Sequence, residues 1–413
     1  MAKKVFRPVA VAVAQVHHAT PANVQIGDVF TVTVENHAGA SATITFTATA
    51  ATEQNVDEGH KALAVAAAAA GTVPWNAITA TEDDAKLILT ADVAGVPFWT
   101  TATAVNGGDA DTQTLTVTTG TAVGGPSIWS DVDNWEGTIY ANDDDVVVPA
   151  DTGVLIYGET YTTTKPGTLT IEEGYAYAIG SEAHPLELSC QAQTLRTANL
   201  GGTGQQFLKL HYVVSTFVRQ AATSQAEGDY GLNLTGTNNT ALYVQCGNAR
   251  HSVGVAAHPG ETAEWATVDC DEGTLTVGPD VYANGAAAIT TLRPRGGTLV
   301  CHATCTTVDQ STGNANLTYR GGDATTVSCY AGTLRWDCAS DITNCHNARA
   351  GHLDFDAGNG PLTVTNGYLG KGYRVTETKQ RVTVTNGWKL TKCGRDDGTF
   401  ERGVNYTESH AAI

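Results

Sequence analysis

A short motif, Gly-Thr-Leu followed by an alternating run of β-favouring residues, recurs along the sequence and constrains the fold more than any other feature. Three copies contain Leu275, Leu299 and Leu334, which are 24 and 35 residues apart, and an earlier copy lies at 166–171. A variant, Gly-Pro-Leu, contains Leu362, a further 28 residues along the chain.

The spacing of these units predicts a parallel β-helix, a solenoid in which each turn of the chain adds one rung of short strands. Two further segments, 363–368 and 383–388, share the pattern Thr-Val-Thr-Asn-Gly-aromatic and repeat after 20 residues. Inward-facing Leu, Val and Cys side chains should then stack into ladders. The alternative is an antiparallel sandwich or barrel, which also has short strands but does not require a repeated Gly-Thr-Leu phase.

The composition agrees with a mainly β chain and excludes several functional classes. Hydrophobic residues make up 42% of the chain and charged residues only 16%, which excludes a disordered chain and a coiled coil. Abundant Thr and Val suit a pleated surface, and the 44 Gly suit tight corners. The formal net charge of −19 opposes binding to phosphate, so we expect no nucleic-acid partner.

Changes of pattern along the chain predict four segments. They are an irregular N-terminal arm (1–24), a small α+β docking domain (25–122), a solenoid cap (123–150) and the parallel β-helix (151–413). Trp129 and Trp135 stand beside an acidic turn, and we expect their rings to cover the first open rung. No apolar run approaches the roughly 20 residues of a membrane-spanning helix, so no membrane partner is expected.

The α+β domain is predicted from strand alternation and one helix-start signal, and we describe it as ββαβββ. Residues 28–34 and 42–48 alternate as the two strands of a hairpin. A helix is predicted over 55–70, with Asn55 as its N-cap. The remaining strands are expected at 77–81, 85–91, 96–102 and 112–117.

The arm carries the only basic cluster of the chain, formed by Lys3, Lys4 and Arg7. We expect this arm to lie across an acidic partner subunit, since the rest of the chain is strongly acidic. Its apolar stretch faintly resembles a signal peptide, but Arg7 and Pro8 interrupt it.

Nine cysteines all lie beyond residue 189, in spacings that fit no standard zinc pattern. We favour inward-facing cysteines that fill a narrow β core as small hydrophobic side chains. Disulfides are the second interpretation, and a metal site around 301–305 is the third.

One group of residues has the pattern of an acid/base site. His352, Asp354 and Asp356 are two residues apart, so on a strand all three would point to the same side. Enzymes that cut polysaccharides need two carboxylates on one face, about 5 to 10 Å apart. The alternative, which we favour, is a solvated outer face with Leu353 and Phe355 pointing inward.

Other motifs that could carry chemistry are weaker. Asp131, Asp133 and Asp143 supply oxygen ligands for Ca²⁺, but the full calcium loop is absent and solvated acidic turns are the favoured interpretation. Trp75 and Trp99, if exposed, would form a carbohydrate platform. We find no phosphate-binding loop or hydrolase motif, and we predict no catalytic residue and no cofactor.

Several segments resemble a family of structural proteins from tailed bacteriophages and prophages. They lie at 20–34, 44–50, 87–98, 108–116, 129–135, 289–299 and 382–393. The resemblance covers most of the chain outside about 185–265 and carries no catalytic motif. It implies a virion structural component on the particle surface.

We therefore predict a non-enzymatic virion protein, either an accessory decoration protein or a fibre-like protein. It would attach through its N-terminal arm and domain to other virion proteins, such as capsid or tail subunits. A homotrimer is expected by analogy, because closed symmetric assemblies suit threefold lattice positions. The second hypothesis is a tailspike-type β-helix that binds or cleaves a host surface polysaccharide. A bacterial adhesin is a third, but it would normally carry a clear secretion signal.

Overall fold

The chain folds into a small N-terminal α+β unit followed by a β-solenoid of about 9 turns, which confirms the predicted fold class. A computed structural model describes residues 2–83, 85–107, 112–188, 194–219, 232–253, 263–277, 287–390 and 399–402. Strand accounts for 51% of the structure and helix for 7%. No helix among the described residues has the length and hydrophobicity needed to cross a lipid bilayer.

The N-terminal unit consists of two antiparallel sheets and one helix. Its elements are β2 (Val16–Ala22), β3 (Val29–Asn36), β4 (Ser41–Thr47), α1 (Glu53–Ala69), β5 (Ile78–Glu82), β6 (Leu87–Ala91), β7 (Phe98–Val105) and β8 (Thr114–Thr121). One sheet has the order β4-β3-β7 and the other β5-β6-β2-β8. The order is therefore βββαββββ and not ββαβββ, because β2 joins from the segment that we predicted to be an arm and four strands follow α1.

Alternation of Val or Phe with Thr explains why β3 forms at the centre of its sheet. Phe30, Val32 and Val34 are fully buried, whereas the threonines between them face outward. Across the hairpin, the hydroxyls of Thr33 and Thr43 lie 2.8 Å apart. Such cross-strand pairs stabilise an exposed sheet face without charge.

Helix α1 begins two residues earlier than predicted, and its N-cap is Thr52 rather than Asn55. The Thr52 hydroxyl accepts a hydrogen bond from the backbone N–H of Asn55. The Asn55 side chain instead accepts hydrogen bonds from the N–H groups of Thr49 and Ala50 in the preceding loop. Both residue types are good caps, so sequence pattern alone did not distinguish them.

The buried face of α1 contains a carboxylate, Asp57, that is 2% exposed. Neither of its oxygens has a hydrogen-bond partner among the described residues. Burial, followed by the nearby charge of Glu82, raises the pKa of Asp57 to about 7. This carboxyl is therefore protonated in the folded protein under conditions in which it is ionised in the unfolded chain.

Replacing Asp57 with Asn should remove a pH dependence from the stability of the N-terminal unit. The folded-state pKa is raised, so the wild-type free energy of unfolding should fall as pH rises from about 4 to 7, by about 2 to 4 kcal/mol in total. Urea unfolding at pH 5 and pH 8 measures this change. A wild-type chain that is equally stable at both pH values, or Asp57→Asn with the same pH dependence, would contradict it.

The predicted irregular arm is instead built into the fold, which corrects the predicted division of the chain. Strand β1 (Lys3–Val5) pairs in parallel with β9 (Asp145–Val148), the first main strand of the solenoid. Strand β2 lies inside the second sheet, between β6 and β8. The chain thus runs from the solenoid at 3–5 into the α+β unit and returns at about residue 124.

Most solenoid strands are short, β16 and β17 are longer, and all of their pairings are parallel. After β9 they are β10 (Thr160–Tyr161), β11 (Thr168–Ile171), β12 (Leu186–Leu188), β13 (Leu195–Leu200), β14 (Gln206–Leu210), β15 (Val213–Val218), β16 (Leu232–Val253), β17 (Ala263–Val277), β18 (Ala287–Pro294), β19 (Thr298–Cys301), β20 (Thr304–Gln310), β21 (Asn316–Tyr319), β22 (Ala324–Cys329), β23 (Thr333–Trp336), β24 (Ile342–Asn347), β25 (His352–Asp354), β26 (Leu362–Leu369), β27 (Arg374–Glu377), β28 (Val382–Val384), β29 (Trp388–Leu390) and β30 (Thr399–Arg402). Each strand pairs with one a full turn away.

A ladder of buried aliphatic side chains runs along the solenoid interior. Leu275, Leu299, Leu317, Leu334, Leu353 and Val375 occupy equivalent positions on successive rungs. All six are at most 1% exposed. The 35-residue gap between Leu299 and Leu334 therefore spans two turns, with Leu317 between them.

Leu362 does not belong to this ladder, which corrects its assignment to the Gly-Thr-Leu repeat. It lies on β26 and pairs in register with Val382 of β28. The repeat of 363–368 at 383–388 does correspond to adjacent rungs, because Thr363 pairs with Thr383.

Aromatic side chains close the N-terminal end of the solenoid, where the sequence analysis placed a cap. Phe6, Trp129, Trp135 and Tyr140 are all buried there, together with valines of β9. The indole N–H of Trp129 donates to the Tyr140 hydroxyl at 2.9 Å, and that of Trp135 donates to the Trp129 carbonyl. The first rung is therefore covered by rings whose polar atoms are satisfied.

Replacing Leu317 with Ala should destabilise the solenoid by about 2 to 5 kcal/mol, because it opens a cavity in a fully packed ladder. The matched control is Thr326→Ala on an outward position, which should change stability by less than about 1 kcal/mol. Urea unfolding followed by circular dichroism measures both. Equal effects of the two substitutions would contradict the assigned register.

Candidate functional site

Strand β25, which pairs with β23 and β27, carries two of the three residues predicted to form an acid/base site. Leu353 and Phe355 are fully buried, as predicted, so His352 and Asp354 face outward from the same strand. Asp356 lies beyond the end of the strand. The structure thus brings His352 and Asp354 to one side and places Asp356 in the following corner.

Asp354 and Asp356 both accept hydrogen bonds from groups of the solenoid itself. Asp354 accepts a hydrogen bond from the backbone N–H of Asp356 at 2.9 Å and lies 3.7 Å from the Arg335 guanidinium. Asp356 accepts hydrogen bonds from the N–H groups of Thr378 and Lys379 and from the Thr378 hydroxyl. His352 lies 2.9 Å from the hydroxyl of Thr376 on the next rung. This arrangement joins neighbouring turns.

These contacts determine the direction in which the pKa of Asp356 shifts. Burial alone would raise its pKa, but the hydrogen bonds from Thr378 and Lys379 lower it below the ordinary value. A catalytic acid needs the opposite shift, because it must hold a proton near neutral pH. The hydrogen bonds and the lowered pKa therefore indicate that Asp356 is a structural carboxylate that stabilises the corner after β27.

The acidic residues considered as calcium ligands have separate structural contacts. Asp131 accepts hydrogen bonds from the N–H groups of Gly125 and Asp133. Asp143 lies 3.3 Å from Arg196 on a later rung. No group of three or more potential metal-ligating side chains occurs among the residues that the structure describes.

Two of the three basic residues of the N-terminal segment bind the solenoid cap of their own chain. The Lys4 ammonium donates to the Glu136 carbonyl and to the Thr138 hydroxyl. The Arg7 guanidinium lies 2.6 Å from the Glu136 carboxylate. Lys3 lies on β1 in register with Asp145. The structure therefore places this cluster at the junction of β1 with the cap.

Both tryptophans considered as a carbohydrate platform pack against other side chains of the protein. Trp75 is 1% exposed, which corrects the assumption that it is exposed. Trp99 stacks on His184 of the solenoid with ring centroids 3.4 Å apart. Its ring face is therefore covered by an imidazole.

Trp99 and His184 belong to a joint between the N-terminal unit and the solenoid. Nε2 of His184 also lies 3.1 Å from the Glu35 carboxylate at the end of β3. The Ser181 hydroxyl donates to the His37 carbonyl at 2.5 Å, and the His37 ring packs on Tyr157 at 5.0 Å. Ring stacking, the contact of His184 with Glu35 and the Ser181 hydrogen bond together fix the unit against the side of the solenoid.

Five of the six cysteines whose side chains are described are buried in the solenoid core, which confirms the inward-facing interpretation for those five. They are Cys270, Cys301, Cys305, Cys329 and Cys345, and the sixth, Cys338, is partly exposed. Cys190, Cys393 and the side chain of Cys246 lie outside the described part of the structure.

Exposed apolar side chains are distributed very unevenly along the molecule. Of thirteen large apolar side chains exposed among the described residues, ten lie between Val9 and Val132. The other three are Leu155, Tyr177 and Val214, and the described solenoid beyond Val214 has none. The apolar surface is therefore concentrated at the N-terminal end.

The most exposed part of this surface is a valine strip formed by Val9, Val11 and Val13. These side chains are 70%, 79% and 41% exposed, whereas Ala10 between them is 7% exposed. The Ala10 N–H donates to the Asn134 side chain, and the Val13 N–H donates to the Gly124 carbonyl. Ala10 thus faces the cap, whereas the three valines and Ala12 are exposed.

Two turns that are hydrogen-bonded to this segment carry further exposed valines. Val132 lies two residues before Asn134, which binds Ala10, and Val93 lies two residues before Gly95, which donates to the Val13 carbonyl. Exposed contiguous apolar patches mark interaction sites more often than scattered residues do. This surface was not predicted from the sequence, although the Val-Ala alternation of 9–14 is its signal.

Comparison of the chain with protein-family models, curated proteins and solved structures finds no match in any of the three. The candidate site therefore depends on the geometry described above.

Replacing Asp356 with Asn should weaken the corner that follows β27, by about 1 to 2 kcal/mol at neutral pH. The pKa of this carboxyl is lowered in the folded state, so the difference should disappear as pH falls below the folded-state pKa. Hydrogen exchange of the Thr378 and Lys379 amides measures the effect. Unchanged protection at neutral pH would contradict the structural role.

Proposed function

We propose that this chain is a non-enzymatic accessory protein on the surface of a tailed-bacteriophage particle. It would attach to capsid or tail subunits through its N-terminal end, with the solenoid as a projecting or surface-lying shaft. The observation that carries the proposal is the uneven distribution of exposed apolar side chains, concentrated at or before Val132. The resemblance of the sequence to phage structural proteins supports the same role.

The surface chemistry of the shaft supports a structural role as well. Outward side chains on neighbouring rungs bind one another, as in the chain of amides formed by Asn344, Asn366 and Asn386. The stacked rings of His346 and Tyr368, 4.5 Å apart, run along the same face. Polar groups that satisfy one another between rungs stiffen the solenoid and leave few groups directed at a ligand.

Attachment through the basic cluster is not part of the proposal, because Lys4 and Arg7 bind the cap of their own chain. We propose the valine strip instead, because burial of exposed apolar side chains drives association. A homotrimer remains part of the proposal, by analogy with other solenoids of this class.

Replacing Val11 with Asp should abolish binding to phage particles that lack this protein, because the charge would be buried without a partner in the contact. The matched control, Val214→Asp, places the same charge on an exposed valine of the shaft, and it should bind as the wild type does. Co-sedimentation with particles measures binding, and circular dichroism confirms folding. Full binding by Val11→Asp, or equal loss in both variants, would contradict the proposal.

A further inference from the structure

Two cysteine side chains meet inside one corner of the solenoid. Cys301 is the last residue of β19 and Cys305 is the second residue of β20, and their sulfur atoms lie 3.6 Å apart. Both side chains are fully buried. Residues four apart on a straight strand are separated by about 13 Å, so the contact requires the bend between the two strands.

The alternation of the chain through the bend explains the approach. Leu299, Cys301, Ala303 and Cys305 are all buried, while the residues between them face outward or are partly exposed. Inward side chains on either side of a corner converge, because the backbone turns around them. Both thiols also lie within 3.7 Å of the Ala303 carbonyl, and the Cys305 N–H donates to the Tyr319 hydroxyl, which fixes the corner.

The other cysteines described on the neighbouring rungs do not have this relation. Cys345 pairs in register with Val327, and Cys329 pairs with Asn347, so these two cysteines are diagonal neighbours on adjacent rungs. The Cys329 thiol is directed to the His352 carbonyl at 3.5 Å. The sulfur atoms of Cys301 and Cys305 are therefore in direct contact, whereas Cys329 and Cys345 are only diagonal neighbours.

We propose that Cys301 and Cys305 are a site of disulfide formation that closes this corner when the protein meets a low-molecular-weight disulfide. A thiolate of one cysteine attacks the sulfur–sulfur bond of the oxidant and releases one small thiol. The second cysteine then attacks the mixed disulfide and releases the second small thiol. The two cysteines lose two protons and two electrons in total, and the oxidant is reduced to two thiols.

The sulfur atoms need to approach from 3.6 Å to about 2.05 Å, a movement that side-chain rotation and a small backbone shift can supply. The hydrogen bond with Cys301, followed by burial, raises the pKa of the Cys305 thiol. Exchange therefore begins during folding, or when the corner opens locally, because only the thiolate attacks a disulfide. Once formed, the bond links two faces of the solenoid covalently at this rung.

Peptide mass mapping of the full chain tests the proposal. The reduced protein is held folded, and in parallel unfolded and refolded, in a mixture of oxidised and reduced glutathione, and is then alkylated under denaturing conditions. Trypsin should release residues 296–320, which contain Cys301 and Cys305 as their only cysteines. We expect this peptide to lack both alkyl groups and to be lighter than the reduced peptide by two hydrogen atoms.

Two variants sharpen the result. Cys305→Ser should give a peptide without an internal disulfide, in which Cys301 is either alkylated or joined to one glutathione, and Cys345→Ser should leave the oxidised peptide unchanged. The urea midpoint of the wild-type chain should be higher after oxidation, and that increase should be absent in Cys305→Ser. Recovery of residues 296–320 with two alkyl groups from both the folded and the refolded samples would overturn the proposal.

Discussion

The stacking of inward side chains from one rung to the next is the interaction on which the rest of the structure depends. A single turn of the solenoid cannot bury its own apolar face, so each rung is stable only against its neighbours. Leu275, Leu299, Leu317 and Leu334 provide that contact over four successive rungs. Because inward positions recur on every rung, outward positions recur as well. This explains the abundance of Thr and the chain of amides formed by Asn344, Asn366 and Asn386.

The same requirement explains the ends of the molecule. The first rung has no neighbour on one side, so its open edge and apolar interior need a cover. Strand β1 supplies the edge pairing, and Phe6, Trp129 and Trp135 cover the interior. The N-terminal segment is thereby used as structure, and its next residues hold the valine strip in place beside the cap.

Local patterns in the sequence predicted much of this fold. Alternation located the strands of the α+β unit to within a few residues, and Gly-Thr-Leu marked several rungs correctly. The rung of Leu317 was missed because Asn316 stands where the motif has Thr. Leu362 was misplaced because a motif of three residues does not specify which ladder it joins. Strand β1 was missed because its partner lies more than 130 residues away, and local alternation carries no information about that pairing.

The candidate sites were harder to predict for a related reason. A sequence shows which carboxylates share a strand face, but the groups that bind them come from later turns. Asp356 is held by Thr378, 22 residues later, and Arg196 approaches Asp143 from 53 residues away. The valine strip has a local signal, but only the burial of Ala10 shows which side faces solvent.

Electron cryomicroscopy of intact phage particles tests the central claim most directly, because it shows where the chain sits and which end contacts the particle. Our account predicts rod-shaped density on the particle surface, with Val9, Val11 and Val13 buried against a capsid or tail subunit and the later solenoid turns in solvent. Particles without this density, or with the valine strip in solvent and the late turns in contact, would contradict the account.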